Sequence, residues 1–448
     1  MLLDLMLIIG LLLSTTSQLR VAAIPIGPGE ALLLLWLAIT ATREMARLGP
    51  PLTHALSRLL IFWSAFAAAL CLGAMTGYAM GDMHDPRWFY HDIAAYGLAA
   101  LISCFGVIHL EASGRLRPRI WLFVGLGTGL LALQAVLGWF DAGGGQFATW
   151  EWDRLRGLTE NANQLALTSA IIGLLALHLA DTARQPLPRL AAGLCIVVAV
   201  VVGRLTKSDA FLLVIAVSGV VYVLMKLRTW MLAEMNPLPL RSAAAWALAL
   251  SLPFAVALAA PFGSSLAQQA EAVAAHAMRG GGERETRETA NLRIAIWSEA
   301  MRRGLEALAL GLGPGPHLKI PDEIAIGRRS TSGGPQDVPQ PEVRLAPNFE
   351  AHNTVLDVFV QGGLPALLGL GWLIGGILVG AWRGRLDAVT TLVCGLAAYS
   401  LFHFILRQPV VWFALVFCLA ATAGPFPADA RQRTGAAFPT GDREPCAY

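Results

Sequence analysis

The chain has 448 residues, of which 56% are hydrophobic and only 14% are charged, and its mean hydropathy is +0.58. This composition excludes an ordinary soluble enzyme and is typical of an integral membrane protein with many helices. The formal net charge of +3 is no nucleic-acid signal, because topology distributes the basic residues of membrane proteins. We therefore expect an all-α polytopic membrane protein with no nucleic-acid partner.

Twelve apolar runs are candidates for membrane-crossing helices. They lie at about residues 2–18, 28–42, 57–80, 91–112, 120–140, 161–181, 190–206, 209–227, 242–262, 363–382, 386–406 and 409–426. These runs predict nine transmembrane helices over 1–262, a large polar loop over 263–353, and a re-entry helix with three more transmembrane helices over 354–426. The polar tail over 427–448 should be disordered.

Loop charges predict which side of the membrane each loop faces. If the N-terminus is cytoplasmic, every inside loop carries basic residues, whereas the outer loops at 81–85 and 141–153 are acidic or mixed. The inside loops contain Arg43, Arg47, Arg115, Arg117, Arg119, Arg184, Arg189, Lys226, Arg228, Arg241, Arg383 and Arg385. We therefore expect both termini in the cytoplasm and the 263–353 loop outside.

The large loop should contain helices of its own. Residues 267–277 and 289–310 have helical patterns, and another helix should begin near His352. The turn over 311–316, Gly-Leu-Gly-Pro-Gly-Pro, could approach a phosphate. Because it also holds two prolines, we interpret it as a helix terminator.

Cations collect on the predicted outer side. They are Arg154, Arg156, Arg204, Lys207, Arg293, Arg302, Arg303, Arg344 and Arg407. A cation at membrane depth costs roughly 2.5–3.5 kcal/mol on insertion scales, so several at one level indicate a function. Arginine and lysine both suit phosphate, which favours an anionic, lipid-linked substrate such as a diphosphate. A single arginine at a helix end more often only snorkels to the interface, so arginines within a further pattern are the stronger candidates.

Three separated patterns resemble the O-antigen ligase and O-antigen polymerase family of bacterial membrane enzymes. The first is Arg154-Leu155-Arg156-Gly157 before Asn161-Ala162-Asn163, similar to an Asn-Pro-Asn helix start with alanine in place of proline. The second is Arg293-x-x-x-Trp297 followed by Gly311-x-Gly313-x-Gly315. The third is His352-Asn353 with Gly362-Gly363-Leu364-Pro365 downstream. Their order, their spacing and the predicted topology agree with one another.

One departure from the family concerns the turn between the seventh and eighth runs. The family often has Ser-Arg there, whereas this chain has Thr206-Lys207-Ser208-Asp209, with Asp209 at the expected arginine position. Lys207 or Arg204 would then supply the charge, and the sequence does not decide between them.

The resemblance implies a metal-independent, inverting glycosyltransferase with a multi-helix, GT-C-like membrane fold and no cofactor. Its donor would be an undecaprenyl-diphosphate-linked glycan, and its acceptor another glycan or lipid A-core. The enzyme would lie among the lipids of a Gram-negative inner membrane, with the large loop in the periplasm, and would make lipopolysaccharide or exopolysaccharide. Polymerase and ligase activities both stay open, as do the sugar and its linkage.

His352 is the candidate catalytic residue, because histidine can accept or position a hydroxyl proton near neutral pH. An interfacial histidine that only caps a helix is the alternative. The candidate diphosphate and substrate ligands are Arg156, Arg293, Lys207, Arg204, Asn353 and Asn163. Asn161 is better explained as a helix N-cap.

A transporter or flippase of a lipid-linked or anionic solute is the alternative function. It would also have about twelve spans and an arginine-lined cavity. Transporters, however, usually contain internal repeats, and they do not need a large external loop that ends in His-Asn. We therefore favour the glycosyltransferase.

Overall fold

The computed structural model describes residues 2–20, 26–47, 52–82, 86–111, 116–140, 147–231, 283–318 and 350–423, with the side chains of 283–294 outside the description. Within these ranges the helices are α1 (Leu2–Leu13), α2 (Pro28–Ala46), α3 (His54–Ala79), α4 (Pro86–Glu111), α5 (Leu116–Trp139), α6 (Ala162–Thr182), α7 (Pro186–Leu205), α8 (Asp209–Met231), α9 (Glu283–Glu306), α10 (Thr354–Arg383), α11 (Asp387–Ser400) and α12 (Pro409–Ala423). A 3-10 helix covers Ser17–Leu19, and an antiparallel hairpin pairs β1 (Trp150–Glu151) with β2 (Arg154–Leu155).

Seven of these helices, α3 to α8 and α10, are long and apolar enough to cross a membrane. Helices α1 and α12 are apolar but shorter. The chain is therefore a mostly helical membrane protein, as its composition predicts. The predicted run at 242–262, the helix at 267–277 and the tail at 427–448 lie outside the described residues, so the count of twelve spans stays a prediction.

Two predicted helix ends differ from the observed ones for local reasons. Helix α1 stops at Leu13, because the hydroxyls of residues 14–16 donate to carbonyl oxygens three residues earlier at 2.7–2.8 Å and so compete with the helical bonds. Helix α9 stops at Glu306 and not near residue 310, because Leu308 and Ala309 have φ angles of 54° and 58°. The helix expected near His352 does begin there, with Thr354 as its first residue.

Polar contacts define two ends of the helix bundle. At the end where α10 begins, here called the proximal end, Thr354 Oγ1 donates to His403 O at 2.7 Å, which joins α10 to the segment after α11. Tyr399 at the end of α11 donates to Asn163 O near the start of α6 at 2.6 Å.

The distal end is the one at which α10 ends. There Lys226 of α8 pairs with Asp181 of α6 at 2.5 Å and with Asp387 of α11 at 3.1 Å. Asp4 of α1 contacts His109 of α4 and Arg119 of α5 at 2.8 and 2.5 Å. Buried charges need partners in a membrane, so these two clusters fix the register of the helices at this end.

An aromatic cluster fills the core between α3, α4 and α12. Trp63 and Trp412 have ring centroids 4.4 Å apart, and Phe62 and Phe66 pack beside them at 5.1 to 5.8 Å. The indole nitrogen of Trp63 donates to Ser103 Oγ at 2.8 Å, so its one polar atom is satisfied.

Helix α10 is broken by Gly363, whose φ and ψ of 65° and −164° are accessible to glycine alone. Pro365 has no N–H, so the carbonyl of Gln361 has lost its helical partner. That carbonyl accepts from Gly313 N at 2.8 Å, and the carbonyl of Val360 accepts from Leu312 N at 2.8 Å. Leu364 N donates in turn to Ala309 O at 2.8 Å.

The glycine-rich turn after α9 therefore acts as the missing hydrogen-bond partner of a broken helix. Gly73 and Gly77 of α3 allow it to enter, since a Cβ atom on either would lie 2.4 Å from a backbone oxygen of Gln361 or Leu312. The turn therefore binds protein backbone. Helix α9 has already ended at Glu306, before the turn begins, so the interpretation of the turn as a helix terminator is wrong.

We predict that Gly363→Ala destabilises the protein by about 2 kcal/mol or more, because a Cβ would lie 2.2 Å from Ala309 O and alanine is strained at this φ. Thermal unfolding of the purified protein measures the effect. The matched control is Gly97→Ala in α4, where a Cβ meets nothing within 4 Å. Equal melting temperatures for the two variants would contradict this account of the kink.

Candidate functional site

The exposed side chain of His352 stands at the proximal end, directly before the cap of α10. Its φ is 51°, in the left-handed region that few residues other than glycine adopt. Asp357, only 4% exposed, holds this conformation, since its two carboxylate oxygens accept from Ala351 N at 2.7 Å and Asn353 N at 3.1 Å. One buried carboxylate thus holds the backbone N–H groups of the two residues that flank His352.

Asn353 is the N-cap of α10. Its side-chain oxygen accepts from Val355 N at 3.0 Å and from Leu356 N at 3.2 Å, and the residue is 7% exposed. This cap satisfies helix donors that would otherwise be free at the start of α10. Asn353 therefore supports His352 through the backbone, and its predicted contact with substrate stays a prediction.

Helix α9 packs against the segment that carries His352. Trp297 donates through its indole nitrogen to Ala351 O at 3.0 Å, and its ring lies 5.9 Å from that of Phe402. Ile296 and Ala300 join Ala351 in a small buried cluster. Arg293 lies one helical turn before Trp297, a spacing that places both residues on the same face of α9. The side chain of Arg293 lies outside the described part of the chain.

The hairpin before α6 presents the predicted arginine pair. Arg154 Nε donates to Thr206 O at 3.0 Å, and its Nη2 donates to Asn163 Oδ1 at 2.9 Å. Arg154 of β2 therefore contacts both the start of α6 and the residue that follows α7. The predicted ligand Asn163 therefore uses its side-chain oxygen within the protein. Asn161 accepts from Gln164 N at 3.0 Å, which confirms its role as an N-cap.

Arg156 is half-buried and donates to two carbonyl oxygens, at 2.5 Å to Ala148 and at 3.4 Å to Glu160. Gln18 holds the same segment by donating to Ala148 O, and it donates to Gly157 O at 2.9 Å as well. Carbonyl groups orient a guanidinium without cancelling its charge, so Arg156 remains available to an anion.

The two candidates at the turn between α7 and α8 differ in their surroundings. Lys207 is ion-paired with Asp153, and its φ is 48°. The side chain of Arg204 is exposed and forms no ion pair with a carboxylate among the described residues. Of these two cations, Arg204 therefore carries the uncompensated charge.

Arg407 is compensated by two carboxylates. Its guanidinium pairs with Asp92 of α4 at 2.5 Å and with Glu350, and it lies 4.7 Å from the centre of the Phe404 ring. Burial lowers the pKa of Arg407, but these carboxylates raise it by more, so the pKa lies above its usual value. Asp92 is also within 3.4 Å of Gln361 Nε2, whose side-chain oxygen accepts from Tyr96 at 2.5 Å. Arg407 therefore ties α4, α10 and Glu350 together.

A second compensated cluster anchors the glycine-rich turn. Arg303 of α9 pairs with Asp82 at 2.6 Å, and the buried His317 places one ring nitrogen 3.0 Å from Asp82 and the other 2.8 Å from Gly313 O. Burial raises the pKa of Asp82, but the hydrogen bond from His317 and the charge of Arg303 outweigh it, so the pKa lies below its usual value.

Sequence reasoning missed the residues that organise the site, above all Asp357, Glu350 and Gln361. A signal for Asp357 was present: it is a lone carboxylate in the first turn of an apolar helix, four residues after Asn353. Such a residue is costly in a membrane unless it has fixed partners, and here the partners are backbone N–H groups.

We predict that Asp357→Asn loosens the segment around His352, because an amide nitrogen would face a backbone N–H and leave it without an acceptor. The cost should be about 1–3 kcal/mol, which speeds hydrogen exchange of the Ala351 and Asn353 amides roughly tenfold or more. Asp387→Asn, at the start of α11 and at the distal end, is the matched control and should leave these amides unchanged. Unchanged exchange in Asp357→Asn would show that Asp357 does not hold His352.

A comparison with known families matches one family to this chain. Residues 192–371 match the O-antigen ligase family, from within α7 to the middle of α10. The matched range includes Lys207, Arg293 and His352, whereas Arg156 and Asn163 precede it. No curated protein sequence gives a match. The apolar helices and the matched range therefore describe a membrane protein that contains an O-antigen ligase domain, and this match suggests a function in membrane glycan transfer.

Proposed function

We propose that this protein transfers or polymerises an undecaprenyl-diphosphate-linked glycan on the periplasmic face of the inner membrane, as a metal-independent, inverting glycosyltransferase. The observation that carries the proposal is the clamp at the start of α10, where a buried carboxylate fixes both peptide groups around an exposed histidine. A fixed histidine at the edge of a membrane domain can meet a hydroxyl group and a sugar on a lipid carrier.

In this reaction His352 accepts the proton of the acceptor hydroxyl while that oxygen attacks the anomeric carbon. The bond between that carbon and the diphosphate oxygen breaks, and the undecaprenyl diphosphate leaves with the bonding electrons. A single displacement of this kind inverts the configuration at the anomeric carbon. Negative charge therefore grows on the diphosphate, and cations placed there lower the barrier.

The uncompensated cations of the proximal end are the best ligands for that diphosphate. Arg156 is oriented by carbonyl groups and Arg204 is exposed, whereas Lys207 would first have to leave Asp153. We therefore place Arg156 and Arg204 on the diphosphate, with Arg293 from α9. Asn163 and Asn353 would act by positioning Arg154 and α10, since their side-chain oxygens are already engaged.

The predicted orientation agrees with the two ends of the bundle. The distal end holds the basic residues Arg119, Lys226 and Arg383 at helix ends, as a cytoplasmic side should. The proximal end would then face the periplasm, with His352 near the outer leaflet. Asp4 in the first turn of α1 lies at the distal end, which supports a cytoplasmic N-terminus.

Transport is the weaker proposal even though α10 is a broken helix of the kind that transporters use for ions. In a transporter the freed carbonyl groups coordinate the cargo. Here the freed carbonyls of Val360 and Gln361 accept from Leu312 and Gly313, so the protein itself uses them.

We predict that His352→Ala lowers glycan transfer at least about 100-fold, the loss expected for a general base. His352→Asn is the informative companion, because asparagine tolerates the left-handed backbone but cannot act as the base. Both variants are assayed with purified lipid-linked donor at matched protein levels. Activity near that of the unmodified protein in His352→Asn would overturn the assignment of the base.

Arg156→Ala should lower transfer about tenfold or more, because the leaving diphosphate loses a charge-assisted hydrogen bond. Arg302→Ala is the control, since Arg302 is exposed and already paired with Glu299 and Glu306, and it should change the rate by no more than about twofold. Equal losses in both variants would mean that the effect comes from net charge and not from a diphosphate site.

Deletion of the gene separates the two acceptor classes. Loss of a polymerase should leave single repeats on their final acceptor, whereas loss of a ligase should leave long polymer on the lipid carrier. Analysis of carrier-linked and surface glycans reads out the difference. A normal glycan profile in the deletion strain would contradict both forms of the proposal.

A further inference from the structure

A groove of about 650 Å³ opens between α3, α10 and α12 at the distal end. Its wall on α3 is formed by His54 and Arg58, and its wall on α12 by Leu419 and Thr422. The last three turns of α10 form its floor, from Gly371 to Arg383. The groove begins about 25 Å along α10 from Thr354, at 1.5 Å per residue, so it is separate from the site around His352.

Two arginines and one histidine converge on this groove, and the described residues that line it include no carboxylate. His54 and Arg58 are four residues apart on α3 and so share a face, and Arg383 is the last residue of α10. None of the three is ion-paired with a carboxylate of the described chain. Lys226 and Arg119, also at the distal end, do have acidic partners.

Glycines of α10 create the space below these cations. A Cβ placed on Gly371 or Gly375 meets nothing within 4 Å, so both positions face open volume. Gly376 lets the guanidinium of Arg58 approach the helix, with Nη1 only 3.0 Å from where a Cβ would stand. Apart from Thr422, the remaining lining is apolar, including Trp372, Val379 and Leu419. The groove therefore combines a cationic mouth with an apolar interior.

We propose that this groove binds one anionic phospholipid of the leaflet at the distal end. The phosphate would contact Arg58 and Arg383, and an acyl chain would lie over the glycine face of α10 beside Trp372. The two arginines together with the apolar floor favour an anionic lipid over other ligands. A soluble anion would not use the apolar floor, and a zwitterionic lipid would not neutralise two arginines. This proposal is independent of the glycosyltransferase function.

The test is native mass spectrometry of the full-length protein in detergent with added phosphatidylglycerol or phosphatidylcholine. We expect the protein to retain phosphatidylglycerol in preference to phosphatidylcholine. Arg58→Gln and Arg383→Gln should each weaken phosphatidylglycerol binding about fivefold, the factor for one basic residue at a lipid headgroup. Arg184→Gln is the matched control, an exposed arginine after α6 at the same end, and should bind as before.

Gly375→Leu tests the groove without changing charge. The leucine side chain enters open volume and favours the helix, so the variant should fold and lose the lipid. Equal binding of the two lipids, or full binding in Gly375→Leu, would overturn the proposal. Displacement of the lipid by millimolar inorganic phosphate would also overturn it, because the site would then recognise phosphate alone.

Discussion

The hydrogen bonds between the broken part of α10 and the turn after α9 are the constraint on which the proximal end depends. In a hydrocarbon environment an unpaired carbonyl group costs several kcal/mol, so a helix breaks where another group supplies hydrogen-bond donors. Leu312 and Gly313 supply them for Val360 and Gln361. The same contact fixes the position of α9 relative to α10, and through Trp297 it reaches the residue before His352. Glycines at 73, 77 and 363 are needed because three backbones approach more closely than side chains permit.

The cations of the proximal end fall into two classes that sequence alone does not distinguish. Arg407, Arg303 and Lys207 are matched by carboxylates and connect elements of the fold. Arg154, Arg156 and Arg204 have no such match among the described residues. Arg156 directly follows β2 and Arg204 lies in the last turn of α7, near the contact that Arg154 makes with Thr206. A membrane protein gains nothing in stability from an unmatched charge at this depth. The proposed function accounts for Arg156 and Arg204, among the unmatched cations, as ligands of the diphosphate.

Hydrophobic runs predicted the helices well because lipid imposes one requirement, about 20 apolar residues per crossing. The predicted starts of α6 and α10 were right, since Asn161 and Asn353 are recognisable caps. The early end of α1 was not predicted, because it depends on side-chain hydroxyl groups that compete with the helical hydrogen bonds. The hairpin before α6 was not predicted either, because the segment is held by Gln18, which is far away in sequence. The family resemblance was confirmed by the matched domain, which covers two of the three patterns. The roles of Asp357 and Arg407 could not be predicted from the sequence, because they depend on contacts that only the folded chain forms. Asp357 accepts from backbone N–H groups, and Arg407 pairs with Glu350.

The contacts of Asp357 with the backbone beside His352 do not involve the residues between Leu318 and Glu350, where the sequence can vary in evolution. Both attachment points of this segment are secured by the helical body: Leu318 is buried with α9, and Glu350 is paired with Arg407. The hydrogen bonds described for the backbone beside His352 come from Asp357 and from Trp297, and both residues lie outside 319–349. Under the proposed function, insertions, deletions or substitutions at positions 319–349 would therefore change the choice of acceptor while the histidine keeps its place. An enzyme of the proposed kind would then diversify its glycans by exchanging a single stretch of chain.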